Sequence, residues 1–223
     1  MEIKPVAHIH TDFKEKFGIP RQSGRVPDLI GKIVFEPKFN NPEAIRGLRE
    51  FSHLWLIFGF SEAEYKEGTM TVRPPRLGGN TRVGVFASRA PYRPNSLGLS
   101  CVKIEKIGQG EITVSGVDML DGTPIYDIKP YIPYSDSIPD ARGSFAESEK
   151  NHFLEIEFPC ELLKLIPEEK QSAVLACLRD DPRPSYQEDD RVYSMAFGDY
   201  DIHFMVEDKK LTVTSVDNKK RNG

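Results

Sequence analysis

Apolar residues along the first two thirds of the chain fall in short runs punctuated by glycine, proline and asparagine. Residues 3–9, 31–35, 54–60, 82–88, 97–107 and 112–119 are rich in valine, isoleucine, phenylalanine and leucine. Runs of this length between turn-forming residues predict strands. One helix is predicted over 41–51, where Asn41 can cap, Pro42 suits the first helical position and Glu43 favours the positive end. Many short strands with few helices point to a sandwich or barrel rather than a doubly wound sheet.

The pattern changes after a proline-spaced connector, PYIPYSDSIP at 130–139. Leu162, Leu163, Ile166, Val174, Leu175 and Leu178 then supply apolar faces for a helix over 160–179, with Pro167 where that helix can split. Alternation returns at 192–197, 202–206 and 211–216. The expected organisation is a mainly β domain over 1–157 and a small α+β domain over 158–223, with the boundary near Glu157.

Composition narrows the class. With 39% apolar and 29% charged residues the chain reads as an ordinary soluble protein. At 223 residues it is long enough for a real core. The net charge of −4 argues against nucleic-acid binding by the whole surface, but not by one basic face. Cys101, Cys160 and Cys177 are odd in number, far apart and free of CxxC spacing, and read as reduced thiols. Glu2, Lys4, Asp12, Lys14, Glu15 and Lys16 crowd the first twenty residues, which lack the apolar centre of an export signal. The most apolar run, LWLIFGF at 54–60, falls far short of the about 20 residues a membrane helix needs. A cytoplasmic protein without a membrane partner is expected.

Charge is distributed unevenly. No Asp or Glu lies between Gly68 and Ile104, whereas Arg73, Arg76, Arg82, Arg89, Arg93 and Lys103 all do. Arginine forks bind phosphate or carboxylate at two points, so this island suggests an anion-holding site. A second cluster, DMLDGTPIYDIKPY at 118–131, joins an Asp121-Gly122 turn to Asp127, Lys129 and Tyr131, which alternate along one face of an extended segment. They are either a surface ion pair with a tyrosine beside it or the lining of a polar pocket. The chain has no GxxxxGK[ST], GxSxG or HExxH, and Gly108-Gln109-Gly110 reads as a hairpin turn. His8 and His10 share a strand face but lack further ligands nearby in sequence, so no metal is expected.

The order FSHLWLIFGF (51–60), TVRPPRLGGNTRVGVFASRAPYRPNSLGLS (71–100) and DMLDGTPIYDIKPYIPYSDSIPDA (118–141), with Pro20-Arg21-Gln22 ahead of it, closely resembles the TsaA-like family. Its members are tRNA N6-threonylcarbamoyladenosine methyltransferases. The tail looks like the smaller C-terminal domain of the family's bacterial branch. The resemblance implies a closed antiparallel β-barrel that binds S-adenosylmethionine without a Rossmann fold. It also implies a homodimer that methylates tRNA bearing threonylcarbamoyladenosine beside the anticodon.

Carried over by position, the implied cofactor contacts are Pro20, Arg21, Gln22, Ser61, Glu62, Arg89, Leu99, Met119, Leu120, Asp121 and Gly122. In this reading Arg89 pairs with the methionyl carboxylate, backbone near Leu99 and Met119 reads the adenine edge, and Asp121 accepts from ribose or amine. Arg73, Arg76, Arg93 and Asn95 are the expected substrate contacts. Asp127 or Tyr131 is the expected base, with Lys129 holding an anion or tuning the tyrosine. Ser61 stands where relatives often carry histidine, and Ser96 where proline is usual, a change expected to loosen the turn after Asn95. Two other classes fit the same residues: a non-catalytic RNA- or anion-binding barrel, and a methyltransferase acting on another small acidic substrate.

Overall fold

The structure is a computed structural model that describes residues 2–74, 77, 80–148, 152–183 and 191–219. Arg76 lies outside the described residues. The first region holds β1 (Ala7–His10), β2 (Ile30–Phe35), β3 (His53–Gly59), β4 (Thr71–Val72), β5 (Val83–Gly84), β6 (Leu97–Ile107), β7 (Glu111–Ser115) and β8 (Thr123–Pro130). Six of these close into a barrel in the order β1-β2-β7-β6-β3-β8, with every neighbouring pair antiparallel. The mainly β, closed-barrel expectation is met.

Side-chain alternation explains the closure. Along β3, Leu54, Leu56 and Phe58 are buried while His53, Trp55 and Ile57 turn outward. Ile9, Ile33, Val102, Ile112, Val114 and Ile125 join the buried set. Each such side chain contributes about 1.5–3 kcal/mol when fully buried. Closing the sheet also removes the unpaired edges an open sheet would expose.

Several boundaries differ from expectation for local reasons. The predicted 41–51 helix is two short 3-10 turns, Pro42–Ile45 and Leu48–Glu50. Asn41 does cap the first, its Oδ1 accepting from the Glu43 amide at 3.0 Å. Gly47 between the turns sits at φ +82°, the left-handed region that ends a helix. The predicted 82–88 strand shrinks to Val83–Gly84 because Val85–Ala87 coil into another 3-10 turn. β1 starts at Ala7, since Pro5 has no amide for the ladder.

Beyond the barrel come α1 (Pro133–Asp136), α2 (Phe145–Ser148), β9 (Glu155–Glu157), α3 (Cys160–Leu163), α4 (Glu168–Arg179), β10 (Tyr193–Phe197), β11 (Tyr200–Glu207) and β12 (Lys210–Asn218). The last strands form a sheet of order β10-β11-β12-β9, in which β9 runs parallel to β12. Residues 155–157 are therefore part of this second sheet. Pro167 splits the predicted long helix, ending up directly before α4. α4 buries Ala173, Val174, Cys177 and Leu178.

The loop after β1 joins the two regions. Phe13 meets Phe197 edge-on at 5.4 Å, and Phe17 stacks on Tyr193 at 6.3 Å. The Gly198 amide donates to the Asp12 carbonyl at 2.7 Å. Lys170 pairs with Asp12, and Arg25 Nε donates to Asp180 Oδ1 at 2.7 Å. One continuous apolar core runs from barrel to second sheet. All three cysteines are free thiols, and burial pushes the Cys177 thiol upward. Among the described residues, no helix is long and apolar enough to cross a membrane.

Candidate functional site

A cavity of about 600 Å³ opens at the barrel end where β3 finishes and where β6 and β8 begin. Its walls come from the loop after β1 (Lys16 and 19–22), the end of β3 with the loop beyond it (57–63), residues 88–89 and 91–93, the start of β6 (97–100) and the approach to β8 (118–120 and Thr123). Gly98 lets the Phe58 ring pack against its backbone: a Cβ there would collide with that ring.

Pro20, Arg21, Gln22, Ser61, Glu62, Arg89, Leu99, Met119 and Leu120 all line this one cavity. Three cations on its walls are tied to other segments. Arg89 Nη1 donates to Gln22 Oε1 at 2.6 Å, and Arg21 Nη2 donates to the Arg183 carbonyl at 2.8 Å. Lys16 Nζ donates to the Glu62 carbonyl at 2.7 Å and lies 3.4 Å from its carboxylate. Asp121 and Gly122 do not line the cavity. Asp121 Oδ1 accepts from the Thr11 amide at 3.1 Å and lies 3.2 Å from His10 Nδ1, so its carboxylate fastens the turn to β1. Gly122 supports that turn at φ +75°, its amide donating to the Ile9 carbonyl at 2.9 Å.

Arg93 is the expected substrate contact that reaches the cavity, and its Nη1 donates to the Ser88 carbonyl at 2.9 Å. Asn95 sits in the Pro94–Ser96 turn outside the lining. Arg73 is exposed beside the β4–β5 hairpin, away from the cavity. Ser96 does not loosen its turn. It adopts φ +45°, which proline's ring forbids, and its hydroxyl lies 3.3 Å from both the Ala63 and Arg93 carbonyls.

Asp127, Lys129 and Tyr131 do share a face, but it is the outer face of the barrel, and none lines the cavity. The cause is a bulge in β8. Ile57 pairs with Asp127 while the next residue, Phe58, pairs with Ile125, so Tyr126 is the extra residue. One inserted residue moves every later side chain to the opposite face. Asp127 and Lys129 form a half-exposed ion pair at 2.7 Å, and Tyr131 packs near Trp55 at 5.8 Å. The register nevertheless sets Asp127 beside the cavity rim, because Ile57 lies opposite both Asp127 and Leu99, and Ile57 and Leu99 line the cavity.

Asp118, inside the quoted 118–131 motif but not among the expected contacts, also lines the cavity. Its Oδ1 is buried and has no hydrogen-bond partner. Burial pushes the carboxyl up to about 6, against the pull of hydrogen bonds from the Ser100 hydroxyl and Ser23 amide and of the Arg89 cation. A sequence signal does exist for it: an acid between two apolar residues, Val117 and Met119, which are 1% and 2% exposed.

Among the described residues, no group of three or more His, Cys, Asp and Glu side chains is gathered as a metal site. His8 Nδ1 lies 2.7 Å from Glu36, and His10 faces Asp121.

Residues 8–137 match the family described as tRNA-methyltransferase O N-terminal domain, and residues 153–219 match the TrmO C-terminal domain. A Pseudomonas aeruginosa protein named as a putative S-adenosylmethionine-dependent methyltransferase, RcsF, is 40% identical over 211 residues, covering 91% of each chain. The Escherichia coli tRNA (adenine(37)-N6)-methyltransferase is 36% identical over 229 aligned positions, covering 97% of each. A crystal structure of TrmO from Pseudomonas aeruginosa superposes with a TM-score of 0.80 at 34% identity, covering 98% of this chain and 99% of that one.

Proposed function

The chain belongs to the tRNA-methyltransferase O family, and on that premise we propose that it methylates N6 of the adenosine beside the tRNA anticodon. S-adenosylmethionine is the methyl donor, and the acceptor base carries a threonylcarbamoyl group. The observation that carries this reading is the barrel-end cavity, which gathers all the expected cofactor contacts except Asp121 and Gly122. At about 600 Å³ it falls within the usual range for a small-molecule site. Its buried unpartnered acceptor and its arginines suit a ligand that carries both hydrogen-bond donors and a carboxylate.

The residues divide the work. Arg21 and Arg89 offer forks to a carboxylate, and Met119, 2% exposed, gives an apolar wall. Bound there, S-adenosylmethionine supplies a methyl group activated by its sulfonium. Leu99 and Ile57 lie where an acceptor base crosses from the cavity to the outer face of the barrel. Asp127, one strand further along that row, is our candidate to take the N6 proton, with Lys129 paired to it. Tyr131 lies further along the same face, where it can contact the substrate. Arg73, Arg76, Arg93 and Asn95 contact the nucleoside or its phosphates, so tRNA affinity falls steeply with salt. An anticodon loop already presents unstacked bases, which lowers the cost of reaching one.

We read the protein as a cytoplasmic homodimer. The test is transfer of a labelled methyl group to tRNA with or without the threonylcarbamoyl group. Label should enter N6 of the modified base and leave the unmodified tRNA blank. Equal labelling of both tRNAs would contradict the substrate assignment, and no labelling of either would contradict the activity.

A further inference from the structure

We propose that Asp118 is a cofactor-binding residue whose buried Oδ1 accepts a hydrogen bond from an N–H or O–H of the nucleoside part of S-adenosylmethionine. This rests on the reading of the barrel-end cavity as the cofactor site. Asp118 lines the cavity, with the Ser100 hydroxyl and the Ser23 amide beside its carboxyl group, and its buried Oδ1 has no hydrogen-bond partner.

The charged groups around the cavity do not meet this need. Arg89 donates to Gln22, Arg93 to the Ser88 carbonyl and Lys16 to Glu62. Arg21 reaches the backbone of the second region. A buried acceptor without a partner destabilises a fold, because it has lost water and gained nothing. Such a group is explained when a ligand completes it. The neighbouring wall is apolar, formed by Met119 at 2% and Phe58 at 4% exposure. Lys16 and Glu62 are half-exposed, and Arg89 is exposed too, so the cations lie toward the mouth. A carboxylate-bearing tail is drawn to those cations, which leaves the nucleoside for the inner wall that holds Asp118.

The test uses the full chain, titration calorimetry and thermal melting, with S-adenosylmethionine and 5′-methylthioadenosine as probes. Methylthioadenosine keeps the nucleoside and lacks the amino-acid tail. Asp118→Ala should weaken both probes about 10- to 100-fold, the range for a hydrogen bond to a charged group. Asp118→Asn, which keeps the shape and removes the charge, should weaken both less. Without ligand at pH 7.5, Asp118→Asn should melt higher than the wild type, because a buried charge is gone while its neighbours stay in place. A group kept for the fold would move the melting temperature the other way.

Unchanged affinity for both probes in both variants overturns the assignment and leaves the cavity reading standing. Loss of S-adenosylmethionine binding with unchanged methylthioadenosine binding overturns the nucleoside contact. A wild-type protein that binds neither probe overturns the cavity reading and this assignment together.

Discussion

The two flanks of the cavity are built differently. On one flank, residues 16–22 run between the barrel and the second region, next to Phe13 and Phe197, which are 0% and 1% exposed. Arg21 reaches across to the Arg183 carbonyl, and a few residues away Arg25 pairs with Asp180, whose side chain is 8% exposed. On the other flank, residues 88–93 continue from the short β4–β5 hairpin, where Met70 and Phe86 are 52% and 73% exposed. Arg82, Arg89 and Arg93 there bond to a threonine, a glutamine and a carbonyl rather than to carboxylates. The difference teaches a division of labour. The packed flank is suited to fixing a small ligand, and the open cationic flank leaves its charge available to a polyanion.

That division can be broken at named places. The largest effect is expected at the rim between the flanks. Asp127→Asn should lower the single-turnover methylation rate at least about 100-fold while calorimetry finds cofactor affinity unchanged. A rate within threefold of the wild type would remove Asp127 from the chemistry and make Tyr131→Phe the next variant to test.

Damage to the packed flank should appear first as lost stability. Arg25→Ala removes the guanidinium paired with the buried Asp180 and should cost about 3 kcal/mol in urea unfolding. A loss below about 1 kcal/mol would mean the two regions are not locked through this pair.

Asp118 gives the same flank a pH dependence. Its folded carboxyl is raised from 3.8 to about 6, so the folded form holds its proton more tightly than the unfolded chain does. The stability this group gives is full below about pH 4 and is lost as pH rises through about 6. It amounts to about 3 kcal/mol at most. Unfolding of the ligand-free protein between pH 4 and pH 7.5 should report this loss, and Asp118→Asn should abolish that component. Identical pH profiles for the two proteins would show that the carboxyl is not buried as described.

The smallest change in the fold belongs to the open flank. Arg73→Ala combined with Arg82→Ala should leave the melting temperature unchanged and reduce the salt slope of tRNA binding by about 1.5. An equal loss of cofactor affinity would erase the distinction between the flanks.

Much of the barrel was legible in the sequence because alternation is a local property. Leu97–Ile107 forms the strand its pattern predicts, and β3 differs from the predicted run by one residue at each end. The family motifs located most of the cavity lining as well. What escaped depends on three-dimensional neighbours. Residues 127–131 do alternate, but the bulge at Tyr126 decides which face they take, and that bulge arises from pairing with β3. Asp118 stands between two apolar residues in the sequence, but the burial of its carboxyl depends on Ser23 and Ser100, which close around it from two other segments. The loop after β1 has no strong period, yet Phe13 and Phe17 anchor it to aromatic partners roughly 180 residues away along the chain. β9 is three residues long, and its strand character comes from its pairing with β12.

The most direct test of the central claim is a crystal structure of this protein soaked with S-adenosylmethionine. The ligand is expected in the barrel-end cavity, between residues 19–22, 97–100 and 118–120, with Asp118 Oδ1 within hydrogen-bonding distance of its nucleoside. Ligand density at another place on the barrel, or none in a cavity still open to solvent, would contradict it.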